Sequence, residues 1–289
     1  MTVSDYIATL NSGIGWALEQ QFCQDTVLGS ATEAYKRNLD YDRNFVLAVE
    51  VKYVQKNEFC LKSDIESQRA ASLRDAEKKA IELFNEIEKH LIRPGISEKD
   101  LNNEIHALGA ERHGVRTHWH KRVIRSGPNT LRPFEENPPD RIIQEDDILI
   151  VDLGPVFEEW EADFGRTFVL GNDPNKIKLR DALEPIWIDV KAKYWENPDM
   201  TGEELYNLAK EAAEKEGFEF GAPIAGHIVG SFPHERIPRD KITLYIAQGS
   251  KNSMNTVGKD GKKRHWILEI HLHNKEHGFG GFYEQLLTA

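Results

Sequence analysis

The sequence predicts an α+β fold made of two similar halves, and three observations support this prediction. Helical patterns come in pairs, each pair is followed by strand-like hairpins, and this order appears twice along the 289 residues. Helix pairs that alternate with antiparallel hairpins are typical of an α+β domain. No repeat is legible in the residues themselves, so the prediction depends on the order of the elements.

The composition disfavours two classes of binding partner, nucleic acids and membranes. The formal net charge of -11 at pH 7 disfavours binding to a phosphate backbone as the main activity. No run reaches the roughly 18 apolar residues that a membrane span needs, and the N-terminus lacks the pattern of a signal peptide. Cys23 and Cys60 are isolated, which fits a reducing compartment. We therefore expect a cytoplasmic protein that binds neither nucleic acid nor a membrane.

Residues 1–68 are expected to form an N-terminal extension, and residues 69–289 the main domain. In the extension we predict a helix from about Ser4 to Phe22 and a strand in the run FVLAVEVKYV, residues 45–54. Two roles stay open for it. It covers apolar surface of the main domain, which is the simpler alternative, or it takes part in dimerisation.

A first pair of helices opens the main domain. From Gln68 to Ile92 the apolar residues recur at steps of three and four, which predicts a long amphipathic helix. Pro94 ends it. Ser97, with Asp100 three residues later, resembles a capping arrangement and predicts the start of a second helix.

A second pair follows later in the chain. One helix is predicted from about Lys176 to Trp195, with a bend at Pro185. The next helix is predicted to begin after Thr201, since Glu204 would complete a capping box. These residues are interpreted as scaffold.

Two aspartates interrupt apolar, strand-like runs between residues 148 and 169. Alternation places Ile150 and Asp152 on one face of a strand, so this carboxylate ends a row that should be buried. Asp163 follows in a similar run. A buried carboxylate costs several kcal/mol unless it is paired or coordinates a cation. Metal binding is therefore one interpretation, and a cap or turn formed by each aspartate is the other.

Two glutamates occupy comparable positions near the C-terminal end. In WILEIHLH, Glu269 and His271 fall on the face opposite to an apolar row, so they would line a cavity. Glu284 lies in FYEQLL, where adjacent glycines and apolar neighbours predict a buried last strand; a solvated tail is the alternative.

Two histidine-containing stretches complete the candidates. GHIVGSFPHE contains His227 and His234, and THWHK contains His118 and His120. The spacing of the second pair is compatible with one strand face. One of its rings has a role in the pocket, or both are solvated on an edge strand.

Five side chains, in chain order, resemble the five metal ligands of the pita-bread metallopeptidases: Asp152, Asp163, His227, Glu269 and Glu284. This family, M24, includes methionine aminopeptidase, prolidase, aminopeptidase P and creatinase. The resemblance covers roughly Ala70 to the C-terminus and includes the DFGRT run. It implies a pita-bread fold, with two pseudo-symmetric halves of antiparallel sheet backed by helices, and a catalytic domain over residues 69–289.

The resemblance also implies two divalent metal ions. Four carboxylates and one imidazole suit Mn²⁺, with Fe²⁺, Co²⁺ or Zn²⁺ as alternatives. Asp163 and Glu284 would bridge both ions, Asp152 would hold one, and His227 with Glu269 would hold the other. Ions that share a water lower its pKa and direct it at a carbonyl carbon, so the expected substrate is a small peptide or amide.

Two catalytic roles follow from the same resemblance. Glu269 would relay the proton, and His234 would hydrogen-bond the substrate. We expect His234→Ala to keep its metal and its fold but to lose about 10²-fold or more in turnover. A homodimer is also expected.

Two departures from the family pattern concern the substrate pocket. Prolidase-like members place a histidine four residues before the metal-binding one, where this chain has Pro223, and another some seventeen or eighteen residues before the first aspartate, where Phe134 or its neighbours align. Four imidazoles are candidate replacements in contact with substrate: His118, His120, His271 and His273. With fewer donors we expect weak activity on Xaa-Pro dipeptides and methionyl peptides, and better activity on a small amide or amino-acid derivative.

Three classes of function stay open. They are a dinuclear metallopeptidase, an enzyme of the same fold that acts on a small non-peptide metabolite, and a non-catalytic binding module. Retention of all five ligands argues against the third class, because burial makes unused carboxylates costly. It argues equally against the metal-free chemistry of creatinase.

Overall fold

The computed structural model describes the backbone of residues 43–233 and 242–289, and the side chains from residue 62 onward within those ranges. The predicted helix from Ser4 to Phe22 lies outside the described residues. Contacts between Cα atoms divide the chain between Ser67 and Gln68, close to the expected boundary. The role of residues 1–68 stays a prediction.

The described part of the chain contains four α-helices, eleven strands and two short 3-10 helices, Gly127–Leu131 and Ile242–Leu244. The helices are α1 (Arg43–His90), α2 (Glu98–Arg112), α3 (Pro174–Glu196) and α4 (Gly202–Lys215). The strands are β1 (Val115–His118), β2 (Val123–Ser126), β3 (Ile148–Leu153), β4 (Pro155–Phe157), β5 (Trp160–Glu161), β6 (Phe164–Val169), β7 (Glu219–Phe220), β8 (Ile224–Val229), β9 (Tyr245–Ala247), β10 (His265–Asn274) and β11 (Phe279–Leu286). None of these helices has the length and apolarity that crossing a membrane requires.

The predicted strand over residues 45–54 is wrong, because this run belongs to α1. Its β-branched and aromatic residues favour a strand locally. However, no glycine or proline occurs anywhere between Arg43 and His90, and the residues that follow are strong helix formers. With no residue to end it, one helix includes both segments.

The two predicted helix caps are confirmed, whereas the helix predicted to begin at Gln68 is part of α1 and begins at Arg43. The Ser97 hydroxyl accepts a hydrogen bond from the Asp100 amide at 3.0 Å and caps α2. Thr201 and Glu204 form the reciprocal capping box of α4. Pro185 lies within α3, and the bend predicted there stays a prediction. These caps satisfy amide groups that the first turn of a helix leaves free.

All strand pairs in the two sheets are antiparallel. The smaller sheet has the order β1-β4-β5, and the larger has the order β2-β3-β6-β11-β10-β8-β9, with β7 paired to β10. Side chains of α3 and α4 share one apolar core with β8, β10 and β11, and side chains of α1 and α2 share another with β2, β3 and β6. Each half therefore has a helix pair that backs antiparallel strands, as the sequence predicts.

Candidate metal centre

Five adjacent strands bring the predicted ligands together. β3, β6, β11, β10 and β8 are neighbours in that order within the larger sheet. In the same spatial order they carry Asp152, Asp163 (one residue before β6), Glu284, Glu269 and His227. Glu269 and Glu284 are directly opposite each other across the β10–β11 ladder. Because paired strands lie about 4.8 Å apart, carboxylates distant in sequence converge at one place.

At one end of this cluster, His227 faces two of the carboxylates. Its Nε2 atom lies 3.1 Å from Asp163 Oδ2 and 3.5 Å from Glu269 Oε1. Its Nδ1 atom donates to the carbonyl oxygen of Ile228 at 2.8 Å. A hydrogen bond from the other ring nitrogen is the usual way in which a protein orients a metal-binding imidazole.

Gly226 explains why a glycine precedes His227. Its φ is +136°, and a Cβ atom at this position would lie 2.0 Å from the carbonyl oxygen of Ile267. Only glycine permits this close approach between β8 and β10. The GH pair in the sequence thus places the imidazole next to the ligands of the neighbouring strand.

At the other end of the cluster, the structure places His120 among the carboxylates. Its Nε2 atom lies 3.1 Å from Asp163 Oδ1 and 3.6 Å from Asp152 Oδ1. Its Nδ1 atom donates to the carbonyl oxygen of Lys121 at 2.7 Å. The sequence suggested contact with substrate for this residue, and it did not indicate this proximity to the carboxylates.

Protons are the counter-charges available to the cluster when no metal is bound. Burial, only partly offset by His120, raises the pKa of Asp152 to about 7, and burial raises the pKa of Glu284 well above its usual range. Burial acts against charged imidazoles, but the neighbouring carboxylates outweigh it and raise the pKa of His120 and His227 to about 9. The two imidazolium rings in turn hold the pKa of Asp163 below its usual range despite burial. The site therefore attracts positive charge.

One oxygen in the cluster lacks a partner. Glu284 is 2 % exposed, and its Oε2 atom has no hydrogen bond within the described residues. Buried carboxylate oxygens are normally satisfied. Ligand atoms of Asp163, His227 and Glu284 all lie within 4.8 Å of one another, and so do those of His120, Asp152 and Asp163. This hard, oxygen-rich donor set fits divalent cations.

The remaining predicted residues have different positions. His271 Nε2 lies 2.8 Å from Glu269 Oε2, so this ring contacts a candidate ligand. Among the described residues, His118 belongs to neither group of ligand atoms. Its ring centroid lies 6.1 Å from that of His106. Burial is the main cause that lowers the pKa of His118 to about 3. His234 lies outside the described residues.

Trp119 is a residue of the site that the sequence did not single out. Its ring centroid lies 4.4 Å from that of His120 and 5.1 Å from that of His227, and its indole donates to the carbonyl oxygen of Ala162 at 3.3 Å. The available signal was an aromatic residue between two histidines. Phe134 is 47 % exposed, and its ring centroid lies 5.9 Å from that of His120. Its ring forms an apolar surface beside His120.

Comparisons with known proteins agree with this architecture. The model of metallopeptidase family M24 matches residues 71–261. A Xaa-Pro dipeptidase from Pyrococcus furiosus is 31% identical over 116 residues, which cover 39% of this chain and 32% of that protein. The chain spans between about a third and a half of the length of the curated relatives it matches.

Solved structures show the same fold. Dipeptidase PepE from Mycobacterium ulcerans has a TM-score of 0.61 at 22% identity, with 76% of this chain and 55% of that chain covered. Methionine aminopeptidase from Thermotoga maritima has a TM-score of 0.55 at 17% identity, with 76% and 92% covered. Since the family model matches well over half of the sequence, the chain belongs to metallopeptidase family M24 and has its pita-bread fold.

Proposed function

We propose that this protein is a dinuclear metal-dependent hydrolase that cleaves a peptide or amide bond. The observation that carries the proposal is the convergence of four carboxylates from adjacent strands around imidazole Nε2 atoms, with the Glu284 Oε2 atom unpartnered. Such a concentration of negative charge is costly in a folded protein unless cations compensate it. A role in binding divalent metal explains why the fold retains it.

The five predicted ligands divide into bridging and terminal ones. In this proposal Asp163 and Glu284 would contact both ions, Asp152 would hold one of them, and His227 with Glu269 would hold the other. The ions would be Mn²⁺, with Fe²⁺, Co²⁺ or Zn²⁺ as alternatives. When bound, they would supply the Lewis acidity that makes a water molecule nucleophilic and a carbonyl group electrophilic at neutral pH.

Glu269 has the position of a proton carrier. Its Oε2 atom is held by His271 at 2.8 Å, while its Oε1 atom is directed towards His227. A carboxylate fixed in this way can accept the proton that the nucleophilic water loses and return it to the leaving amine. His234 is proposed to hydrogen-bond the substrate.

Peptides are the substrate class that the relatives suggest. The similar proteins include Xaa-Pro dipeptidases and a putative Xaa-Pro aminopeptidase. The chain departs from the pattern of prolidases at Pro223 and Phe134, and Phe134 lies beside the cluster as an apolar surface. We propose weak activity on Xaa-Pro dipeptides and methionyl peptides, and better activity on a small amide or amino-acid derivative. The homodimer and the cytoplasmic location stay predictions.

Metal analysis combined with kinetics tests this proposal. The protein is purified without chelator, its metal content is measured, and kcat/KM is determined on Xaa-Pro dipeptides, methionyl peptides and amino-acid amides. We expect hydrolysis that chelator abolishes and Mn²⁺ restores, with kcat/KM on Xaa-Pro dipeptides below about 10⁴ M⁻¹s⁻¹. A protein that binds no divalent metal overturns the proposal. Higher values on Xaa-Pro dipeptides overturn the altered specificity and indicate an ordinary prolidase-type peptidase.

A further inference from the structure

We propose that His120 is a sixth ligand of this centre and binds, through Nε2, the ion that Asp152 holds. The inference rests on the proposed function for the presence of metal. It adds an imidazole to the end of the cluster where the five-residue set provides only carboxylates. Both ends of the centre would then contain one nitrogen ligand.

The hydrogen bond on the far side of the ring fixes the protonation of His120. The Lys121 carbonyl oxygen can only accept, and it lies 2.7 Å from Nδ1, so Nδ1 carries a proton. In the neutral ring, Nε2 then presents a lone pair to Asp163 Oδ1 at 3.1 Å. Two acceptors at this distance repel each other unless a cation lies between or beside them. Either a second ring proton or a metal ion must satisfy the pair.

The same geometry occurs at His227, which is a predicted ligand. The two imidazoles face different oxygens of Asp163, each at 3.1 Å. Each has one further carboxylate nearby: Asp152 at 3.6 Å from His120, and Glu269 at 3.5 Å from His227. Two ligand atoms that each lie about 2.1 Å from one ion are separated by roughly 3.0–3.6 Å for bond angles between 90° and 120°. All four distances fit shared coordination.

The surroundings hold the His120 ring in this position. Its side chain is only 9% exposed, and Trp119 and Phe134 contact it edge to face. A Cβ atom on Gly154 would lie 2.2 Å from the imidazole Cδ2 atom, so glycine provides the space that the ring occupies. A ring fixed by packing and by a backbone hydrogen bond is preorganised for a ligand at its free nitrogen.

Cobalt binding to the chelated protein tests the proposal without a substrate. The parent is titrated with Co²⁺ alone, and the number of ions and their affinities are measured by calorimetry. Proton NMR of the Co²⁺ protein detects the exchangeable, paramagnetically shifted N–H signals of coordinated imidazoles. We expect two ions and two such signals, from the Nδ1–H groups of His120 and His227.

Two substitutions identify the signal. His120→Ala should remove one shifted N–H signal. It should also lower the affinity for one of the two ions by at least about 10-fold, since even residues that only orient a ligand contribute that much. His120→Gln, which can place an oxygen near the Nε2 position, should recover part of the affinity. His118→Ala is the matched control, because it removes a neighbouring imidazole that does not face the carboxylates, and it should keep both ions at the affinity of the parent.

The outcomes separate this inference from the proposed function. Two ions of unchanged affinity in His120→Ala overturn the inference and leave the proposed function intact. One ion in the parent and two in His120→Ala also overturn it, because His120 would then occupy the second position as an imidazolium. A parent that binds no Co²⁺ contradicts the proposed function itself. If His120→Ala does not fold, a single shifted N–H signal in the parent is sufficient to overturn the inference.

Discussion

The two ends of the carboxylate cluster have the same geometry but are held by different kinds of structure. At one end, His227 lies on β8 beside Glu269 of β10, inside the larger sheet. At the other, His120 lies in the irregular segment between β1 and β2, beside Asp152 of β3. Each ring donates from Nδ1 to the next carbonyl group, and each faces a different oxygen of Asp163.

The two imidazole rings differ in what fixes their direction. β8 pairs with β10 directly after His227, and Gly226 permits the close approach of the two strands directly before it, so strand pairing fixes the direction of this ring. No strand pairing orients His120. Its direction depends on Trp119 and Gly154, which shape the space around the ring.

The largest predicted effect comes from the residue that both ends share. Asp163→Asn replaces a carboxylate that faces both imidazoles with a neutral amide, so it should lower the affinity for both ions. We expect loss of metal at micromolar concentrations and a fall in turnover of at least about 10²-fold. Metal analysis after gel filtration and steady-state kinetics measure both effects.

Asp181→Asn is the matched control for this substitution. Asp181 is an exposed carboxylate on α3 that pairs with Arg180, so its removal should change neither metal content nor rate. An Asp163→Asn protein that holds as much metal as the parent would show that Asp163 is not a bridging ligand.

A smaller effect should be confined to the His227 end. His271→Phe keeps an aromatic ring against Phe282 but removes the hydrogen bond to Glu269 Oε2. We expect the ion at the His227 end to bind about 10–100-fold more weakly, while the ion at the His120 end is unchanged. Competition with a chelator, combined with the Co²⁺ NMR signals, distinguishes the two ions.

His277→Phe is a suitable control, since His277 is exposed and contacts only its own turn at Asn274 among the described hydrogen bonds. If His271→Phe weakens the His120 end first, Glu269 does not belong to the His227 end as proposed.

The smallest effect concerns the pH dependence of the metal-free protein. The pKa of His120 and His227 rises from 6.5 to about 9 on folding, and that of Asp152 from 3.8 to about 7. The folded protein therefore binds more protons than the unfolded chain across these ranges, so the free energy of unfolding falls as pH rises. We expect the Tm of chelated protein to fall between pH 6.5 and pH 9.

Added Mn²⁺ should raise the Tm most at the high end of this range, because fewer protons must be displaced there. In the double variant His120→Ala/His227→Ala, the Tm of the chelated protein should fall less steeply above pH 6.5. A Tm of the chelated parent that rises from pH 6.5 to pH 9 would contradict the assignment of these groups as proton-binding partners in the fold.

Much of the fold and part of the site were predictable because they depend on local periodicity. The caps at Ser97 and Thr201, the helix pairs and the buried last strand with Glu284 all follow from patterns of a few residues. The helix over residues 45–54 was not predictable from its own composition, because continuity with α1 overrides local strand preference. The position of His120 depends on packing between segments distant in sequence, which no periodicity records.

Anomalous diffraction from crystals grown with Mn²⁺ is the most direct test of the proposed metal centre. We expect two anomalous peaks, each within about 2.0–2.3 Å of oxygens of Asp163 and Glu284, one adjacent to Nε2 of His227 and the other adjacent to Nε2 of His120. A map with no peak within bonding distance of Asp163 would contradict the proposal that these carboxylates form a metal centre.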